Sequence, residues 1–112
     1  MEVTPRSIEY YHTENGQTPF CLWYNHLKDS RTKLIIDARL TRVERGLLGD
    51  CEEVGGGVYE LKIHHGPGYR LYFGQQALRV ILLLCAGDKN SQKKDIRLAQ
   101  AYWMDYERRL LK

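Results

Sequence analysis

The chain reads as a single α+β domain in which a largely antiparallel four-stranded sheet is packed by helices. Three observations lead there. Two neighbouring stretches, residues 20–27 and 30–47, place apolar side chains at helical spacing. Three β-like runs, VYELKIH, YRLYFG and LRVILLLCA, then follow one another through the short connections HGPG and QQA. A last amphipathic stretch closes the chain. Strands joined by such short loops pair antiparallel, and flanking helices pack against the sheet they form. The predicted order is β-α-α-β-β-β-α.

Each element has its own signal. Ser7–Thr13 (SIEYYHT) carries Ile8, Tyr10 and Tyr11 and reads as a first strand with imperfect alternation. After the turn-like ENGQTP, Pro19 stands where a helix can begin, with Thr18 or Gln17 at the cap. Phe20, Trp23, Tyr24 and Leu27 then form one face of a short helix. Asp29 or Ser30 can cap the next helix, along which Ile36, Leu40, Val43 and Leu47 recur, with Arg39 among the charged residues largely on the rest of the wheel. Gly46 and Gly49 mark its end, and GDCEEVGGG (49–57) reads as a flexible connector. Two short-linked amphipathic helices predict a helical hairpin lying on the sheet. Val80–Leu84 is apolar without interruption, the pattern of a strand covered on both faces. Asn90 or Ser91 caps the last helix, whose apolar stripe is Ile96, Ala99, Trp103, Tyr106 and Leu110.

With 112 residues, 43% of them apolar and 28% charged, residues 1–112 form one ordinary globular domain and are too few for two. No apolar run approaches the roughly 20 residues of a membrane span, which sets membrane functions aside. The N-terminal MEVTPRSIEYYH has acids and tyrosines where a signal peptide needs an apolar core, so a cytoplasmic location is expected. Cys21, Cys51 and Cys85 are odd in number and widely spaced, and read as free thiols in a reducing compartment. The net charge is only +3, yet Leu61–Gly87 contains no acid, while Lys62, Arg70 and Arg79 are basic there. Lys89, Lys93, Lys94 and Arg97 follow. A local basic field of this kind suits phosphate or an acidic protein partner.

The chemistry concentrates in ELKIHHGPGYRLYF (60–73). Adjacent strand residues point to opposite faces, so Glu60, Lys62 and His64 share one face and Arg70 and Tyr72 share a face on the next strand. Opposed residues in a hairpin must lie on the same face. A five-residue loop satisfies this, either His64–Gly68, with Lys62 opposite Arg70, or His65–Tyr69, with Lys62 opposite Tyr72. Both build a solvent-side patch of Glu60, Lys62, Arg70 and Tyr72, with His64 at its margin. His64 and His65 face opposite ways, so they cannot chelate one metal ion together, and no metal or cofactor is expected. An arginine fork, a lysine charge and a tyrosine suit a phosphodiester, and an imidazole can move its proton. The plain structural alternative for the same residues is a solvated outer face with weak ion pairing.

GGGVYELKIHHGPGYRLYFGQ, then VILLLCAGDKNSQKKDI, then the aromatic helix with AYWMDY, give the whole chain a resemblance to the RelE/ParE superfamily of type II toxins. Within that superfamily the resemblance is specifically to the addiction-module killer proteins related to HigB. The resemblance implies the RelE/ParE-like fold and a toxin neutralised by a HigA-like helix-turn-helix antitoxin, with a toxin–antitoxin heterotetramer as one assembly. It also implies metal-independent cleavage of mRNA on the ribosome, in which the ribose 2′-OH attacks the adjacent phosphate. The same superfamily contains ParE-like gyrase inhibitors, and a degenerate toxin that only binds its antitoxin is a third reading.

Carried over by position, the resemblance makes Arg70 the holder of the scissile phosphate. Lys62 stands where relatives commonly have arginine. Lys89, in the GDK turn, becomes a second cation or acid, His64 an acid–base group, and Tyr72 a stacking residue. Arg79, Lys93 and Lys94 become contacts to RNA. One departure is plain: the chain ends in DYERRLLK and lacks the C-terminal HY or HD pair that some HigB proteins use.

Overall fold

In the computed structural model, which describes residues 4–111, helices cover both faces of a five-stranded sheet. The outermost residues of the domain, 1–3 and 112, lie outside that description. Strand β1 (Ser7–Tyr10) is followed by α1 (Pro19–His26) and α2 (Ser30–Glu44). Four strands then run in succession: β2 (Cys51–Gly55), β3 (Val58–Ile63), β4 (Tyr69–Gln76) and β5 (Val80–Asp88). A single 3-10 turn (Lys89–Ser91) leads into α3 (Gln92–Leu110).

The spatial order is β1-β5-β4-β3-β2. From β2 to β5 all pairings are antiparallel, whereas β1 lies parallel to β5. The helical hairpin α1–α2 therefore carries the chain across one face, from the β1 edge to the β2 edge, and the meander returns it. This corrects the expected four-stranded sheet. The additional strand, β2, lies inside the glycine-rich stretch read as a connector. It is an edge strand with an irregularity between Glu53 and Gly55, so it needs neither an apolar run nor regular alternation.

Local chemistry explains the helix ends. Pro19 occupies the first turn of α1, where its missing N–H is not needed. Asp29 caps α2 by accepting from Arg31 N at 3.0 Å and from Thr32 Oγ1 at 2.9 Å. Ser91 holds the N-cap position of α3, as expected, but makes no side-chain cap; the capping bonds form a reciprocal box around the preceding 3-10 turn, in which Asp88 accepts from the Asn90 and Ser91 amides. Leu47, expected on the apolar stripe of α2, falls beyond its end and is exposed.

The core has two halves. On one face, Phe20, Ile36, Leu40 and Val43 meet Leu61, Ile63, Leu71 and Phe73. On the other, Ala99 and Trp103 of α3 meet Val58, Tyr72, Leu82 and Leu84. Burial on both faces is what the apolar run of β5 predicts. Trp103 lies flat against Gly74, where even a methyl group would collide with the indole ring. At the other end of α3, Asp105 accepts from the Tyr11 hydroxyl at 2.6 Å and pairs with Arg109 at 2.7 Å, tying the helix to the segment after β1. Among the described residues, no helix is long and apolar enough to cross a membrane.

Two outcomes follow. Gly74→Ala lowers stability by about 1–3 kcal/mol through overpacking, measured by urea unfolding, and Trp103→Leu in the same chain makes the alanine less costly. The second concerns pH. The Tyr11 hydrogen bond, followed by Arg108, holds the Asp105 carboxyl below its ordinary 3.8. A carboxyl depressed in the folded state stabilises above its unfolded value, and that contribution is lost as pH falls through the folded value. The gap in Tm between wild type and Asp105→Asn is therefore fully present near neutrality and closes only below about 3.8.

Candidate functional site

The hairpin between β3 and β4 pairs Lys62 with Arg70 and Ile63 with Tyr69, so its loop is His64–Gly68. This is one of the two registers that residue alternation permits. Gly66 and Gly68 take φ values of 56° and 81°, a region open to glycine at little cost. Beside the loop lies a cleft of about 390 Å³, bounded by Lys62, by the whole loop with Tyr69 and Arg70, and by Lys89. Lys89 reaches it because β5 ends alongside the start of β4, with Arg70 opposite Gly87 and Tyr69 opposite Asp88. Lys62, His64, Arg70 and Lys89, scattered over 28 positions, thus border a single cleft.

The cations are not left to drift. The Arg70 side chain is only 13% exposed; its Nη1 donates to Gly68 O at 3.1 Å, and its Nε faces Glu60 Oε2 at 3.6 Å. Lys62 Nζ lies 3.4 Å from Glu52 Oε1 on the neighbouring strand. His64 Nε2 lies 2.6 Å from Asp50 Oδ2. That contact is the main cause holding the Asp50 carboxyl below its ordinary range, so the carboxylate accepts and the imidazole N–H donates. His65 turns the other way. Its Nε2 lies 3.2 Å from Thr32 Oγ1, whose own hydrogen is given to Asp29. The two histidines do diverge, as their alternation requires. Among the described residues, no group of three or more His, Cys, Asp or Glu is placed to hold a metal ion.

The other sequence candidates do not join them. Tyr72 is fully buried, and so is Glu60 opposite it, which corrects the expected solvent-side patch and removes Tyr72 as a stacking residue. The physical reason is α3, which covers that face. Burial, then the Glu60 charge, raise the Tyr72 phenol far above its ordinary value. Its hydroxyl has no hydrogen-bond partner among the described residues, so the Glu60 effect is that of a nearby charge. Arg79 is exposed in the β4–β5 turn, at the far end of the eight-residue β4, roughly 20 Å or more from the cleft. Lys93 and Lys94 are exposed on the first turn of α3.

Three residues were missed by sequence reasoning, Asp50, Glu52 and Gln92, while Glu60 was named in the patch but placed on its solvent side. The first two sit on and before the unexpected edge strand, and only its pairing brings Glu52 opposite Glu60. Nothing in a one-dimensional pattern places them at the cleft. Gln92 donates from α3 to Glu60 at 2.9 Å, a contact that the expected solvent-facing Glu60 rules out.

No family model matches the chain. Over 81 residues it is 43% identical to an uncharacterized protein of Haemophilus influenzae, a match covering 72% of this chain and 82% of that protein.

Because Glu52 occupies Lys62, removing its charge frees the lysine for an anion. Glu52→Gln is expected to tighten inorganic phosphate binding about 1.5- to 5-fold, the scale of an exposed ion pair. Amide shifts of Lys62 and Arg70 during an NMR titration measure it. Unchanged affinity means that the pair does not restrain the lysine.

Proposed function

We propose that this chain, which belongs to the same family as the Haemophilus influenzae protein, is the toxin of a type II toxin–antitoxin system and cleaves mRNA on the ribosome. The observation that carries the reading is the convergence of Arg70, Lys62, Lys89 and His64 on one cleft with no acidic residue in its lining. The resemblance of GPGYR and the following LLLCAGDK to HigB-related, RelE/ParE-like toxins supports it independently. A HigA-like helix-turn-helix antitoxin, with a heterotetramer as one form of the complex, belongs to the same proposal, as does a cytoplasmic place of action.

The geometry suits phosphodiester transfer by the neighbouring 2′-OH, without need of a metal ion. Arg70 presents its terminal nitrogens to two phosphate oxygens, and Lys62 and Lys89 add charge where the phosphorane gathers it. With Nε2–H given to Asp50, His64 has Nδ1 free to take the 2′-OH proton. The 2′-oxygen then bonds to phosphorus, the P–O5′ bond breaks, and Lys89 gives a proton to the departing 5′-oxygen. The products are a 2′,3′-cyclic phosphate and a 5′-hydroxyl end.

Expression without antitoxin tests the proposal. The wild-type chain should arrest growth and leave codon-linked 5′ ends in mRNA. Arg70→Ala should restore growth and reduce those ends about 10²- to 10³-fold, the usual loss on removing one oxyanion-stabilising donor. Trapped DNA breaks in place of RNA ends would assign the chain to ParE-like gyrase inhibition, and a toxic Arg70→Ala chain would remove the cleft from the mechanism.

A further inference from the structure

A carboxylate with no exposed surface lies behind the cleft. Glu60 stands in β3, opposite Tyr72 and two residues before Lys62, on the face that α3 covers. Its Oε2 accepts from Gln92 Nε2 at 2.9 Å and faces Arg70 Nε at 3.6 Å. Its Oε1, the Arg70 Nε–H and the Tyr72 hydroxyl are all buried, and none has a hydrogen-bond partner among the described residues. Three polar atoms left so incompletely satisfied at one place are costly, and a native fold that keeps them calls for a reason. Packing supplies none, since an apolar side chain of similar volume would fill the same space more cheaply.

The guanidinium geometry supplies one. Arg70 is a rigid planar fork with five N–H donors. With Nε turned to Glu60 and one Nη1 hydrogen on Gly68 O, three donors are left at the end of the side chain that borders the cleft. Glu60 itself does not border the cleft. It therefore orients Arg70 from the rear without competing for what Arg70 binds. Gln92 links this carboxylate to the first turn of α3. That turn is pressed onto β5 opposite Arg70, because a methyl group at Gly87 would collide with the Asp95 carboxylate.

We infer that Glu60 is a positioning residue, whose buried carboxylate, steadied by Gln92, locks the Arg70 guanidinium with its terminal nitrogens aimed at a phosphate in the cleft. This rests on the reading of the cleft as a phosphodiester site, so the test has one arm that needs no substrate. In the free protein, solvent exchange of the Arg70 Nε–H is followed by NMR. It should be slow in wild type and about 10-fold or more faster in Glu60→Gln, which keeps the shape and loses the charge.

The second arm measures mRNA cleavage by the purified chain on ribosomes. Glu60→Gln should lose about 10- to 100-fold in kcat, the usual scale for a supporting residue. In an Arg70→Lys background the same change should cost less than about twofold, since there is no fork left to orient. Unaltered Nε–H exchange overturns the inference whatever the cleft does. Equal losses in both backgrounds overturn it too, because they mark a general structural role. A wild-type chain that cuts no RNA overturns the phosphodiester reading, while the exchange arm still decides whether Glu60 holds Arg70. Should Glu60→Gln fail to fold, Gln92→Leu, at the helix end of the same contact, takes its place in both arms with the same outcomes.

Discussion

Arg39 is the residue on which the arrangement of the site depends. It lies on α2, is 8% exposed, and spends its guanidinium on three backbone carbonyls: Lys62 O at 2.6 Å, Leu48 O at 2.9 Å and Asp50 O at 2.9 Å. A buried charge is tolerable only when its donors are satisfied, and here the satisfaction is structural. The three carbonyls belong to the end of β3 and to the chain entering β2, so one side chain fixes both against the helical layer. Burial is the main cause pulling Arg39 below its ordinary pKa, yet it remains a cation at any working pH. Gly49 takes a φ of 66° directly against the guanidinium, where a side chain would crowd Arg39 as well as strain the backbone. The positions of Asp50, Glu52 and Lys62 all follow from this contact.

Why the hairpin was legible and its surroundings were not is a matter of which interactions are local. The register of β3 and β4 is set by alternation along the strands and by a glycine-bearing loop, both written in consecutive residues. From them came Lys62 and Arg70 on one face of the hairpin, in one of two permitted registers of which the structure takes the first, and the divergence of His64 and His65. The starts of α1 and α2 were legible for the same reason, through Pro19 and Asp29. Edge strand β2 was not, because an edge needs only backbone partners on one side, and CEEVG carries neither a clear alternation nor an apolar run.

The larger miss was the face of the sheet carrying Glu60 and Tyr72. Polar residues alternating with apolar ones normally mark a solvated side, and the rule gave the wrong answer here. Contrary signals were present: an amphipathic last helix needs a surface, and an apolar run through β5 needs cover on both sides. Arg39 was misplaced by the same logic, as a charged residue assigned to the outside of its helix. In both cases the buried polar groups serve to hold something in place, and binary patterning has no term for that.

The cleft contains a graded set of charges. His64 leans on Asp50 and Lys62 on Glu52, both pairs with well-exposed acids, whereas Arg70 faces a carboxylate with no exposure at all. Solvent and salt screen the first two pairs and leave the third almost untouched. An arriving anion can therefore displace Glu52 from Lys62 at small cost, and it can draw on His64 without moving a buried group. It cannot displace Glu60 from Arg70, and has no need to, since the carboxylate holds the opposite edge of the guanidinium. One fixed fork and two releasable groups give the cleft a rigid point of attachment surrounded by charges that adjust after binding. On the proposed phosphodiester reading, orientation is thus settled before the ligand arrives, and neutralisation follows it.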